Sequence, residues 1–112
     1  MIIEVSPHNF GVYEVPNSNE LICSNHFQSD AYAEDKNNQK HIFESHSKYR
    51  YERMEELLGN HKKITPTIAV DILRNKQGLR DNDIGYGNEK ALNQLLAHHG
   101  IVFKPEQRHI VI

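Results

Sequence analysis

The sequence predicts an α+β fold, with short strands, about three helices and a C-terminal β-hairpin. Three observations support this. β-rich runs sit at both ends of the chain, apolar residues recur at helical spacing through the middle, and Gly, Pro, Asn and Asp mark the joins. With 112 residues, the chain forms a single domain or a fragment of a larger one. Its 38% hydrophobic and 25% charged residues place it among ordinary globular chains.

Met1–Val5 and Phe10–Val15 read as strands, joined by the turn residues Ser6-Pro7-His8-Asn9. Asn17-Ser18-Asn19 is a second turn, and Glu20–Ser24 a third strand, giving a meander or part of a sheet. Leu21-Ile22-Cys23 is apolar without alternation, which fits a strand covered on both faces. Gln28–Lys40 is polar and aperiodic, an exposed loop with room for one helical turn.

A helix is expected from about Phe43 to Leu58, stopped by Gly59-Asn60. One stripe runs Phe43, Ser47, Arg50, Met54, Leu57 and Leu58. A second helix starts at Thr65, whose hydroxyl can cap it, with Pro66 in the first position. Ile68, Ala69, Ile72 and Leu73 face inward, and Gly78 lies beyond the end. Asn75–Gly87 is a glycine- and charge-rich connection. Asn88 caps a third helix, Glu89–His98, with Gly100 as its stop. Ile101-Val102-Phe103, the turn Lys104–Gln107 and Arg108–Ile112 complete a hairpin with Pro105 at its corner.

Several function classes find no support. The net charge of −2 comes without a block of like charge, so neither nucleic acid nor an anionic membrane is an expected partner. No apolar run approaches the ~20 residues of a membrane span. Met1-Ile2-Ile3-Glu4 is too short for a signal peptide. The single cysteine makes no internal disulfide. Among the eight histidines, His41 and His46 are five apart and His98-His99 adjacent, neither at the spacing that aligns two imidazoles on a helix. No metal or other cofactor is expected. Gly85-Tyr86-Gly87 lacks the following Lys-Ser/Thr of a phosphate loop, and there is no nucleophile elbow.

The informative stretch is Leu21-Ile22-Cys23-Ser24-Asn25-His26-Phe27, an apolar run that stops at an amide side chain and puts donors at the edge of a core. Asn25 is either a turn-satisfying strand end or a neutral donor for developing negative charge. Arg50, on the stripe between Phe43 and Met54, is either a site-organising cation or a structural ion pair. Lys48 and Arg53 compete for that role. Cys23, inside an apolar strand, reads as an inert small hydrophobe rather than a nucleophile.

Leu-Ile-Cys-Ser-Asn-His-Phe, followed after a polar gap by Ser47-Lys48-Tyr49-Arg50-Tyr51-Glu52-Arg53, resembles the isopenicillin-N acyltransferase-like family of cysteine N-terminal nucleophile (Ntn) hydrolases, distantly related to choloylglycine hydrolases. The resemblance spans roughly Asn9 to Ile112. It implies a four-layer αββα sandwich, of which this chain is a part, and acyl transfer from amides through a cysteine thioester. Asn25 and Arg50 would be catalytic, and His26, Phe27 and Ser47 would bind a small amide or acyl substrate. His99, ahead of the final hairpin, would be structural. The family's nucleophile uses its own free α-amine as base, so internal Cys23 does not match it. The expectation is therefore part of an amidase or acyltransferase, inactive alone. It would associate with the remainder of the enzyme, or with itself through an open sheet edge. The alternative is a non-catalytic α+β binding module.

Overall fold

A computed structural model describes residues 1–94 and 100–112. The fold is mixed α+β, in two compact units, 1–51 and 52–112. Unit 1 begins with an antiparallel hairpin, β1 (Ile2–Ser6) and β2 (Asn9–Tyr13), in the register Ile3↔Val12, Glu4↔Gly11 and Val5↔Phe10. Pro7 and His8 alone form the loop, as the turn residues predict.

The predicted third strand, Glu20–Ser24, forms no ladder with any described residue. Its polar backbone is met by side chains instead: Ser18 Oγ takes the Glu20 N–H at 3.2 Å, and Ile22 C=O accepts Gln28 Nε2 at 3.0 Å. Ile22 is buried, but Leu21 and Cys23 are exposed, so the run is not covered on both faces. The segment read as a loop, Gln28–Lys40, is more ordered than expected. A 3-10 turn at Asp30–Tyr32 buries Tyr32, and α1 (Lys36–Ser45) starts early because the Asp35 carboxylate caps it, accepting the Asn38 N–H at 2.7 Å.

The single helix predicted over Phe43–Leu58 is two. His46 adopts a left-handed conformation (φ 58°), α1 stops before it, and α2 runs Ser47–Gly59. The break is stabilised by Arg50, whose Nη1 donates to the terminal Ser45 carbonyl at 2.7 Å. It also rotates Phe43 off the expected inner stripe and leaves it 84% exposed.

The boundary between units falls within α2. In unit 2, α3 (Pro66–Leu73) starts as predicted: Thr65 Oγ1 accepts the Ile68 N–H at 3.2 Å and Pro66 opens the helix. Leu73, expected to face inward, is exposed. The third predicted helix is absent over 89–94. Asn88 Oδ1 takes the Lys90 N–H at 2.9 Å in a local turn rather than capping a helix. The remainder, 95–98, lies outside the described residues. The C-terminal hairpin is present as β3 (Val102–Lys104) and β4 (His109–Val111), joined by a 3-10 turn at Pro105–Gln107.

Gly11 stands directly opposite Glu4, and Ser29 packs against it. A Cβ there would collide with Ser29 Oγ and fall 2.9 Å from Ser29 Cβ. Gly11→Ala is therefore expected to destabilise the chain by ~1–3 kcal/mol through overpacking, read as a lower midpoint in thermal or urea unfolding. An unchanged midpoint would show that Ser29 can move away freely.

Candidate functional site

Four buried groups of unit 1 hold the segment Ser24–Ser29, and none of them lies next to it in sequence. Glu4, 6% exposed on the inner face of β1, accepts the Gln28 N–H at 2.6 Å, the Ser29 N–H at 3.0 Å and the Ser29 hydroxyl at 2.7 Å. Buried Asn38 on α1 makes a reciprocal pair with Phe27: its Oδ1 accepts the N–H at 2.9 Å and its Nδ2 donates to the C=O at 3.0 Å. Ser47, fully buried at the start of α2, accepts the Asn25 N–H at 2.6 Å and donates to Ser24 Oγ at 2.9 Å. Its Oγ lies 2.7 Å from His26 Nδ1. With the serine proton given to Ser24, His26 donates through Nδ1–H.

The fourth is Arg50, 8% exposed, whose Nη2 donates to Asn25 Oδ1 at 3.0 Å. Guanidinium has only donors, so the atom of the Asn25 amide facing it is the oxygen. That fixes the amide orientation. Nδ2 is turned away from Arg50, and among the described residues it meets no acceptor.

Asn25, His26 and Phe27 line an open depression of about 800 Å³, together with β1 residues, Tyr32 and His41. Phe27 stacks on Tyr32, with centroids 3.9 Å apart and planes 11° from parallel. Asn25 is exposed on this surface, while Ser47 and Arg50 stand behind it and do not line it. Ser47, expected to touch substrate, is placed instead to hold the backbone of Asn25. Cys23 also borders the depression, with an exposed thiol 3.5 Å from Ser24 C=O.

Arg50 and Arg53 go to different places. Arg53, with no exposed surface, belongs to unit 2, where it binds Asp81 at 2.8 Å, Glu56 at 3.2 Å and Asn75 at 3.2 Å. Lys48 is exposed. Of the three cations, Arg50 alone hydrogen-bonds Asn25.

Electrostatics follow from this packing. Burial pushes the Glu4 carboxyl up, but the Gln28 and Ser29 donors and nearby His26 outweigh it and bring it below its ordinary 4.5. Burial lowers His26 below its ordinary 6.5; Glu4 opposes this, and Lys48, His41 and Arg50 add to it. Among the described residues, no group of three His, Cys, Asp or Glu is placed to hold a metal ion, and no helix is long and apolar enough to cross a membrane.

The residues missed in the sequence are Glu4, Asn38, Tyr32 and Gly11. Only Asn38 had a local sign, lying three residues after the capping Asp35. No family model matches the chain, nor does any curated protein or solved structure.

Both depressed pKa values give stability of the same sign. Above 6.5, His26 is neutral in folded and unfolded chains alike. As pH falls below 6.5 the unfolded chain binds the proton first, and stability drops until folded His26 also titrates. Glu4 adds a second loss as pH falls below 4.5. In urea unfolding across pH, His26→Gln should flatten the upper step and Glu4→Gln the lower one. Profiles parallel to wild type would contradict the assignment. Separately, Ser47→Ala leaves the Asn25 N–H without its buried partner and should cost ~1–3 kcal/mol by urea midpoint.

Proposed function

We propose that this chain supplies the oxyanion-binding part of a cysteine Ntn amidase or acyltransferase, within the αββα sandwich that its resemblance to the isopenicillin-N acyltransferase-like family implies. The observation that carries the reading is the Arg50–Asn25 contact at 3.0 Å. A free asparagine amide presents either an acceptor or a donor. With Oδ1 committed to Arg50, Asn25 offers the depression a neutral N–H donor, which suits negative charge developing on a carbonyl oxygen.

In this reading, a thiolate from outside residues 1–112 attacks the carbonyl carbon of a small amide. The carbonyl π electrons move to oxygen, where Asn25 Nδ2–H donates to the oxyanion. Collapse breaks the C–N bond and leaves a thioester, and the amine leaves with the proton that the nucleophile's α-amine had taken from its thiol. Water or a second amine then releases the acyl group. Cys23 is not that thiol, since it is internal, has no free α-amine, and no base is hydrogen-bonded to it. Arg50 acts on the amide through Asn25 rather than on substrate. His26 and Phe27 border the depression where the acyl group would lie, and Ser47 fixes the backbone beneath them. The chain is inactive by itself.

The test is turnover of a simple amide by this chain co-expressed with the segment encoded just upstream. Asn25→Leu should lower kcat by ~10²–10³ while the chain still folds, its melting temperature reduced by the loss of the Arg50 hydrogen bond. Arg50→Lys keeps a charge but loses the planar fork, and should also lower kcat while leaving KM close to wild type. Full activity in Asn25→Leu would remove the oxyanion role.

One observation favours a second reading, a non-catalytic interaction module: the outer face of the β1–β2 hairpin is apolar and exposed. In that case no co-expressed segment confers turnover.

A further inference from the structure

The β1–β2 hairpin is arranged with its polar face inward. Glu4 and Gly11 are buried on one side. The cross-strand pairs Ile3↔Val12 and Val5↔Phe10 share the other side. These four side chains are 64%, 48%, 68% and 69% exposed respectively. None carries charge, and nothing in unit 1 covers them. Met1, next in the same alternation, is also exposed. Scattered surface hydrophobes are ordinary, but four in register on one sheet face form a continuous patch.

We propose that this face is an interface between two copies of the chain, hairpin stacked on hairpin. Two arguments favour a second copy. The first is charge: a two-fold interface brings identical patches together, and the four paired side chains at its centre carry none, with Glu14 beside Met1 at the rim. The second is area. Four side chains of this size, half to two-thirds uncovered, present roughly 400–500 Å² per copy, so a pair buries about 800–1,000 Å². That reaches only the lower end of specific interfaces, so the dimer is weak and reversible, dissociating in the micromolar range. The two sheet faces would stack ~10 Å apart, as in a β-sandwich. Association is thus assigned to the sheet face rather than to its open edge. The face adjoins the candidate site, since Ile3 and Val5 border the same depression as Asn25 while Phe10 and Val12 do not, but the proposal needs only the exposed apolar pairs and not the oxyanion reading.

Sedimentation velocity on the full chain, from low to high micromolar concentration, tests this. Wild type should shift from monomer to dimer across the range. Val5→Lys should raise the dissociation constant ~10-fold or more by placing a charge in the contact. Because Val5 is exposed, circular dichroism should not change. The double variant Val5→Thr with Phe10→Thr keeps β propensity while removing apolar area, and should weaken the dimer in the same direction. A wild-type chain that stays monomeric throughout overturns the proposal. So does a dimer equally strong in both variants, which would place self-association elsewhere.

Discussion

A buried carboxylate sets the arrangement of unit 1. Removing Glu4 from water disfavours its charge, yet its pKa lies below the ordinary value because three donors from Gln28 and Ser29 converge on it. The hydrogen bonds therefore outweigh the desolvation. The consequences spread through backbone geometry. Ser29 must press against the hairpin at the residue opposite Glu4, and only a residue without a Cβ leaves room there, hence Gly11. Tyr32 follows one turn later. Its hydroxyl lies 2.9 Å from Ser6 Oγ and 3.0 Å from Asn9 C=O, and its ring becomes the floor on which Phe27 stacks. The Asn25 end of the segment is then held by Ser47 and Arg50.

This answers how a segment with no ladder partner can be ordered. Backbone N–H and C=O groups of Ile22, Asn25, Phe27, Gln28 and Ser29 are met by side chains rather than by a neighbouring strand. A strand paired on the depression side would close it. Side-chain partners leave one side of Asn25–Phe27 open, which is where the depression lies. The two arginines of α2 show how finely this depends on partners. Three residues apart, on neighbouring helix faces, both are buried. Arg53 meets the carboxylates of Glu56 and Asp81 as a structural ion pair, and Arg50 donates to the Ser45 carbonyl and to the Asn25 amide oxygen, which orients Asn25.

What the sequence made legible was local. Thr65 with Pro66 announced α3, and Ser-Pro-His-Asn announced the first hairpin, because each acts on its own neighbours. The C-terminal hairpin was readable for the same reason. Asp35 was equally local, and its cap was obscured by the polar residues around it. The helix break at His46 was not readable, since apolar periodicity runs through it and neither the left-handed His46 nor the return of the Arg50 side chain to Ser45 C=O leaves a mark in that periodicity. Glu20–Ser24 failed as a strand because β propensity does not supply a partner. At the candidate site, Asn25 and Arg50 could be named, but not their contact. Glu4 and Asn38 could not be named, because they act from 24 or 25 and 11 positions away.

The same distinction governs the first hairpin's two faces. Alternation in Ile2–Ser6 and Asn9–Tyr13 divides the hairpin into an apolar and a polar side, but period alone does not say which side is covered. A sheet packed for apolar burial would turn Ile3, Val5, Phe10 and Val12 inward. Here Glu4 takes the inner side because it alone can meet the Gln28 and Ser29 donors, and a one-residue slip of register would lose those bonds while hiding the apolar pairs. The observed arrangement therefore satisfies the polar backbone of the Asn25 segment at the cost of an uncovered apolar face. Leaving buried N–H groups unmet costs ~1–3 kcal/mol each, and a methyl-rich face in water is less favourable by ~25 cal/mol per Å². The second term can be recovered by covering the face. The first is met within the unit by Glu4, and the larger apolar cost of the exposed face is left to whatever covers it.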